Sequence, residues 1–182
     1  MIYTEKDNPL VVIPHGGPHG CHTSRFGAMA AMLINYGYNI LYANFTGSTG
    51  FDRSVVDALP GNIGQIDLED IQQAINIAGE TIDTKELVSM GGSYGGYMTY
   101  QLCQLEDFTC GISLCGVSNC ATMAFTTDIN DWCFAEAANS PLNLPPTLDE
   151  MTTMYKRSPL AFPIIAPMLV IHGQKDLRVP HT

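Results

Sequence analysis

The stretch Met90-Gly91-Gly92-Ser93-Tyr94-Gly95-Gly96-Tyr97 constrains this 182-residue chain more than any other. It follows a short apolar run, Leu87 to Met90, which reads as a buried strand, and it opens a segment from Tyr97 to Leu105 with apolar residues at helical spacing. A serine in G-x-S-x-G between a strand and a helix marks a nucleophile elbow. The turn is so tight that the serine is held in a strained backbone conformation, and neighbours carrying a Cβ would collide with strand or helix. The helix starts directly behind Ser93, so its free N–H groups and positive dipole end face any oxyanion formed there. A plain glycine-rich turn after a strand also satisfies the pentapeptide, and the rest of the chain has to decide between the two.

Taken in order, strands and helices alternate. Met1-Ile2-Tyr3 reads as the tail of a strand, and Leu10-Val11-Val12-Ile13 as a buried strand running into Pro14-His15-Gly16-Gly17-Pro18-His19-Gly20. Between Ser24 and Tyr36 the residues Phe26, Met29, Ala30, Leu33 and Ile34 recur at helical spacing, with Ser24 or Thr23 as cap and Gly37 as stop. A strand over Tyr38 to Ala43 leads to a small-residue loop, Asn44 to Phe51. The next helix, Asp67 to Ala78, carries Asp67, Glu69 and Asp70 in its first turn, where carboxylates suit the dipole, and Ile71, Ile75 and Ala78 on one face. After the Ser93 helix come a strand over Gly111 to Cys115, a looser region from Gly116 to Pro146, a helix over Leu148 to Tyr155, and a strand, Met168 to Ile171, ending at His172 to Asp176. This alternation predicts an α/β fold, a mostly parallel, doubly wound sheet with helices on both faces. Ligands of such sheets bind at the carboxyl ends of the strands, which is where the His15–Gly20 loop, the Asn44–Gly50 loop, Ser93 and Asp176 all fall.

Composition narrows the function. With 46% hydrophobic and 14% charged residues the chain builds a packed interior within one domain. Its formal net charge of −10 argues against nucleic acid and anionic membranes as partners, since both need clustered Lys and Arg. No apolar run reaches membrane-spanning length, and the first residues show no secretory leader pattern. The six cysteines, Cys21, Cys103, Cys110, Cys115, Cys120 and Cys133, form no C-x-x-C pair. That usage fits a reducing cytoplasm, with metal ligation as the minor alternative.

Acyl transfer needs a nucleophile, a base, a group that orients the base, and donors for the oxyanion. Ser93 is the candidate nucleophile. The candidate donors are the N–H of Tyr94 and the N–H of Gly17, where a lack of side chains lets backbone approach substrate. Asp176, after Ser93 in the chain and at a strand end, is the candidate triad acid, although an isolated Asp in a turn is as readily a local cap. The base is expected further toward the C-terminus. His181 is the one histidine after Asp176 and lies in the same turn, so it is not assigned; His15, His19 and His172 read as structural or loop residues. Trp132 and Glu136 are candidates for lining a specificity pocket, against the simpler reading of a buried Trp beside a capping loop.

Several segments share the order and spacing of one known family: His15-Gly16-Gly17-Pro18-His19, Gly47-Ser48-Thr49-Gly50-Phe51, Leu59-Pro60-Gly61-Asn62, Gly91 to Tyr97, Asp128-Ile129-Asn130-Asp131-Trp132-Cys133, and Gly173 to Pro180 with Asp176-Leu177-Arg178-Val179-Pro180. Together they resemble the prolyl oligopeptidase family of serine peptidases. The Asp131-Trp132-Cys133 segment is similar to the branch that removes an N-acylated residue from short blocked peptides. The resemblance implies an α/β-hydrolase fold incomplete at both ends: residues 1–182 form a partial catalytic domain, without the N-terminal β-propeller and the C-terminal segment that bears the histidine. It implies Ser93 as nucleophile, Asp176 as triad acid, no cofactor, a short N-acylated peptide as substrate, a cytoplasmic location, and a homo-oligomer in the full-length protein. Two departures from the family pattern, Thr46 in place of the usual Arg and Asp52 in place of Gly, are expected beside the site. Other readings stay open: another peptidase or an esterase of this family, or, if the chain ends at Thr182, a non-catalytic α/β module that binds peptides or a partner subunit.

Overall fold

The apolar run Leu10-Val11-Val12 has no polar alternation because it is covered on both faces: all three residues are buried. It belongs to β1 (Leu10–Pro14), an interior strand paired on both sides. The computed structural model describes residue 2, residues 5–84 and residues 86–181. In chain order the remaining elements are α1 (Ala28–Asn35), β2 (Asn39–Ala43), α2 (Arg53–Asp57), α3 (Ile66–Gly79), β3 (Leu87–Gly92), α4 (Tyr94–Leu102), β4 (Phe108–Leu114) and α5 (Cys120–Thr126). Then follow α6 (Asn130–Trp132), which continues into a π-helical segment (Cys133–Ala138), α7 (Leu148–Lys156), a 3₁₀ turn (Pro159–Ala161) and β5 (Met168–Ile171).

The five strands run parallel in the order β2-β1-β3-β4-β5. The register sets Val11 between Ile40 and Val88, and Ile112 between Met90 and Leu169. The chain first steps outward from β1 to β2, then returns to lay β3 on the other side of β1. Strand order therefore reverses between β1 and β3, and the crevice of a doubly wound sheet lies above that point. The two loops that leave there are His15 to Gly20 and the turn at Ser93. Of the predicted N-terminal strand tail, Met1 and Tyr3 lie outside the described residues; Ile2 makes an isolated antiparallel bridge to Ile40.

The helix behind Ser93 is buried along its whole length, Tyr94 to Leu102. Its polar residues are satisfied inside: Thr99 Oγ1 donates to Gly95 O (2.9 Å) and accepts from Ser89 Oγ (3.0 Å), and Gln101 Nε2 donates to Tyr97 Oη (3.2 Å). It ends at Leu102, three residues before the predicted stop, because the chain tightens into turns in which Gln104 and Leu105 N–H bond back to Gln101 and Leu102. On α3 the predicted face holds, with Ile71 and Ala78 buried against the core and Ile75 partly buried there.

Two sequence expectations are corrected. Helix α1 begins at Ala28 rather than Ser24: Thr23 Oγ1 takes the Arg25 N–H in a local turn, Gly27 is the cap, and Phe26 is 86% exposed. The region from Gly116 to Pro146 is not loose over its first half. Asn119 caps α5 by accepting the Thr122 N–H (3.0 Å), and α6 with its π segment packs Cys133, Phe134 and Ala137 into the core. The π register departs from the 3.6-residue period, so its apolar residues carry no helical pattern in sequence. Helix α7 is entered through a capping box, Thr147 with Glu150.

Among the described residues no helix is long and apolar enough to cross a membrane. The six cysteines are free thiols. Two of the isoleucines of α3 give a test of its packing. Ile71 is fully buried and Ile77 is 60% exposed. Ile71→Ala should cost about 3 kcal/mol in urea unfolding, whereas Ile77→Ala should stay within about 0.5 kcal/mol; equal effects would contradict the packing.

Candidate active site

Ser93 joins β3 to α4 with φ 57° and ψ −123°, a left-handed conformation that costs a non-glycine residue about 1–3 kcal/mol. Its surroundings leave no alternative. A Cβ on Gly91 would stand 2.3 Å from Gly95 O, one on Gly95 2.3 Å from Pro14 O, and one on Gly96 2.6 Å from Gly116 Cα. Gly92 differs, since its nearest neighbour would be Leu114 O at 3.5 Å, an ordinary contact. The sequence reading of the glycines thus holds for three of the four. Ser93 N–H donates to Leu114 O (2.9 Å) at the end of β4, and Ser93 O accepts from Tyr97 N–H (3.0 Å), the first turn of α4.

The loop after β1 comes up against this turn. The Cβ position of Gly16 lies 3.4 Å from Gly92 O and 3.6 Å from Ser93 Cβ, and Gly17 has φ +133°. His15 fixes the loop from below: its Nδ1–H donates to Gly16 O (2.8 Å), so its Nε2 accepts from Ser48 Oγ (2.8 Å), and the ring stacks on Phe45 at 4.2 Å. Burial lowers the His15 pKa, which favours this neutral form. His19 donates from Nδ1 to Gly47 O (2.8 Å) and sets Nε2 3.1 Å from Glu136 Oε1. Because Gly47 O only accepts, that last contact must hold one proton, on imidazolium or on carboxylic acid. Burial pushes the Glu136 carboxyl up, opposed by His19. Glu136 is therefore a buried tie for the loop rather than a pocket wall.

A cavity of about 220 Å³ opens between these pieces. Gly17, Ser93 and Tyr94 line one side, and Val117, Met123, Ile129, Trp132 and Val179 form an apolar wall, with Arg178 at the rim. Trp132, half-buried, lines the cavity and donates from Nε1 to Gly17 O (3.3 Å), so it is wall and loop tie together. A larger hollow of about 440 Å³, beside Leu10, Ile82 and Leu87, lies at the amino ends of the strands, away from these groups. Neither Thr46 nor Asp52 lines the Ser93 cavity, contrary to expectation. Thr46 N–H donates to Asp70 Oδ2 (2.7 Å) beside a separate hollow that includes Phe51, and Asp52 caps α2 in solvent by accepting from Ser54.

Asp176 sits just after β5. Its Oδ1 accepts from Arg178 N–H and Val179 N–H, both at 2.9 Å, which shapes the turn that carries Arg178 and Val179 to the cavity. Its Oδ2 is 4.0 Å from His172 Nε2, which itself donates to Val179 O (2.6 Å). Arg178 grips Asp128 with two bonds, 2.7 and 3.2 Å, and this hydrogen-bonded pairing lowers the Asp128 pKa. The structure thus gathers Ser93, Tyr94 and Gly17 around one cavity and places Asp176 in the turn bordering it. Among the described residues no histidine hydrogen-bonds Ser93; His15, His19, His22 and His172 each bond elsewhere, and His181 packs 6.4 Å from the His172 ring.

The sequence of residues 24–182 matches the profile of the prolyl oligopeptidase family. The chain belongs to the prolyl oligopeptidase family. It is 37% identical to the acylamino-acid-releasing enzyme of Rattus norvegicus over 182 residues, which is 94% of this chain and 24% of that enzyme. Among solved structures it superposes on an acylaminoacyl peptidase in complex with Z-Gly-Gly-Phe-chloromethyl ketone, with a TM-score of 0.87 at 29% identity, covering 100% of this chain and 30% of the other. Pyrococcus horikoshii acylaminoacyl peptidase gives 0.87 at 29% identity, over 97% of this chain and 29% of that one. The chain therefore spans about a quarter to a third of the length of these relatives, and its sheet is that part of an α/β-hydrolase domain.

One residue of this prolyl oligopeptidase-family site escaped the sequence reading. Asp67 stands in the first turn of α3 as expected, but it is fully buried and accepts a hydrogen bond from the Tyr94 hydroxyl. The signal was present: Asp67 stands four residues before Ile71, on the helix's buried face. Desolvation raises its pKa from 3.8 to about 6, against the pull of the Tyr94 bond and nearby amides.

Two outcomes follow. Gly95→Ala should destabilise the protein by about 3 kcal/mol or more in denaturant unfolding, and Gly92→Ala by less than about 1 kcal/mol; the reverse order would contradict the elbow geometry. Because the folded pKa of Asp67 is raised, its titration favours folding below 3.8, and that contribution is lost as pH rises through about 6. The stability of wild type relative to Asp67→Asn should therefore improve from pH 7 to pH 5, and a flat difference would remove the assigned shift.

Proposed function

We propose that this chain is the Ser93-bearing part of a serine peptidase that releases an N-acylated residue from the end of a short blocked peptide. The observation that carries the proposal is the meeting of the strained Ser93, Tyr94 and Gly17 at one cavity with an apolar wall. Ser93 Oγ attacks the carbonyl carbon of the acylated residue. The carbonyl oxygen, now negative, takes hydrogen bonds from the N–H groups of Tyr94 and Gly17; each such donor is typically worth about 3 kcal/mol in the transition state. The residue's side chain occupies the wall of Val117, Met123, Ile129 and Trp132, which suits a small or medium apolar group. The proton leaves Ser93 for a histidine supplied by a part of the protein outside these residues, with Asp176 as its orienting carboxylate. The peptide amine departs with that proton, and water then hydrolyses the ester on Ser93. The names of the relatives, which release acylamino acids, support this substrate class over a free amino terminus.

In the full-length protein, N-acetyl-alanyl anilide should be hydrolysed more than about a hundredfold faster, in kcat/KM, than alanyl anilide. Ser93→Ala should lower kcat by about a million-fold. Equal use of the free amine would remove the blocked-peptide assignment. Turnover that survives Ser93→Ala would remove the nucleophile.

A further inference from the structure

The Asp67 carboxylate is fully buried, and no ion pair reaches it among the described residues. Such a group is costly to keep, and an apolar side chain on that face of α3 would pack without the cost. What it holds is the Tyr94 hydroxyl, while its other oxygen accepts from Leu68 N–H (2.9 Å) at the start of α3. Tyr94 heads α4 directly beside Ser93. Its ring is fully buried, stacked on Tyr97 at 4.9 Å, edge-on to Trp132 at 6.1 Å and tilted against Phe45 at 6.0 Å. A tyrosine side chain has only two torsions between its ring and its backbone, so holding its hydroxyl and its ring restrains where its Cα can lie, and with it the peptide that carries its own N–H. Asp67 is thus tied through one side chain to the amide that meets developing charge.

We propose that Asp67 is a positioning residue for the oxyanion: by holding the Tyr94 hydroxyl it aims the Tyr94 N–H at the carbonyl oxygen that becomes negative when Ser93 attacks. This rests on the acyl-transfer reading above. A tether between α3 and α4 with no bearing on the oxyanion would affect folding alone, so the test has to separate rate from stability.

The experiment uses the full-length protein and measures kcat, KM and the thermal midpoint with N-acetyl-alanyl anilide. Tyr94→Phe and Asp67→Leu should each lower kcat by about ten- to a hundredfold, the effect of a misaimed donor, with KM within about twofold of wild type. Asp67→Asn, which still offers the hydroxyl an acceptor oxygen, should recover most of kcat. The double variant Asp67→Leu with Tyr94→Phe replaces both partners by apolar groups, so it should regain the thermal midpoint while kcat stays as low as in the worse single variant. Recovery of kcat together with the midpoint in the double variant overturns the proposal, as does a wild-type kcat in folded Tyr94→Phe or a rise in KM that accounts for the loss. If Asp67→Leu does not fold, Tyr94→Phe and the double variant decide by the same criteria. A wild-type protein whose Ser93 is not labelled by a fluorophosphonate overturns the acyl-transfer reading and the inference with it. Labelling of Ser93 with wild-type kcat in the variants overturns the inference alone.

Discussion

The left-handed backbone of Ser93 is held by three close approaches that only glycine permits: Gly91 against Gly95 O, Gly95 against Pro14 O, and Gly96 against Gly116. The middle contact matters most for the rest of the molecule. It brings the N-terminus of α4 down onto the end of β1, so the loop that leaves β1 has to pass over Ser93. The cavity is a consequence of this packing. Strand β1 is interior, paired to β2 on one side and β3 on the other, and its residues Leu10, Val11 and Val12 are buried, so the strand cannot shift to relieve the contact. The strain at Ser93 is sustained by a sheet core that is far more favourable than the strain is costly.

Around that fixed point the site is assembled from loops distant in sequence, and hydrogen bonds across them do the assembling. His15 is bonded to Ser48, His19 to Gly47 and Glu136, Trp132 to Gly17, and Asp128 to Arg178. Each bond ties a segment that lines the cavity to another segment of the chain, and most are partly or wholly buried, where polar groups left unpaired are costly. The wall is apolar and the working groups are backbone amides. Acyl-transfer chemistry asks for that combination, because amides stabilise an oxyanion best where water is excluded.

How much of this was legible in the sequence depended on whether the cause was local. The strand runs Leu10–Ile13, Leu87–Met90 and Met168–Ile171, the glycines around Ser93, and the gathering of polar loops at one sheet edge follow from short-range patterns, and the structure has each of them. The start of α1 was misplaced because Thr23 and Ser24 have the chemistry of a cap, while the chain uses Thr23 in a local turn. The π segment at Cys133–Ala138 breaks the period on which helix reading relies. Thr46 and Asp52 flank the Gly47–Phe51 segment but face surroundings other than the cavity, which only the path of the loop determines. The first-turn position of Asp67 is legible, but its hydrogen bond is not, because its partner, Tyr94, is 27 residues away.

The central claim is that the amides of Tyr94 and Gly17 converge on the oxygen of a group bonded to Ser93. The most direct measurement is a crystal structure of the full-length protein after reaction with a peptidyl phosphonate. The account predicts phosphorus bonded to Ser93 Oγ, with the phosphonyl oxygen about 2.7–3.1 Å from both the Tyr94 and Gly17 nitrogens. A phosphonyl oxygen turned away from both amides, or a phosphonate attached to a different residue, would contradict it.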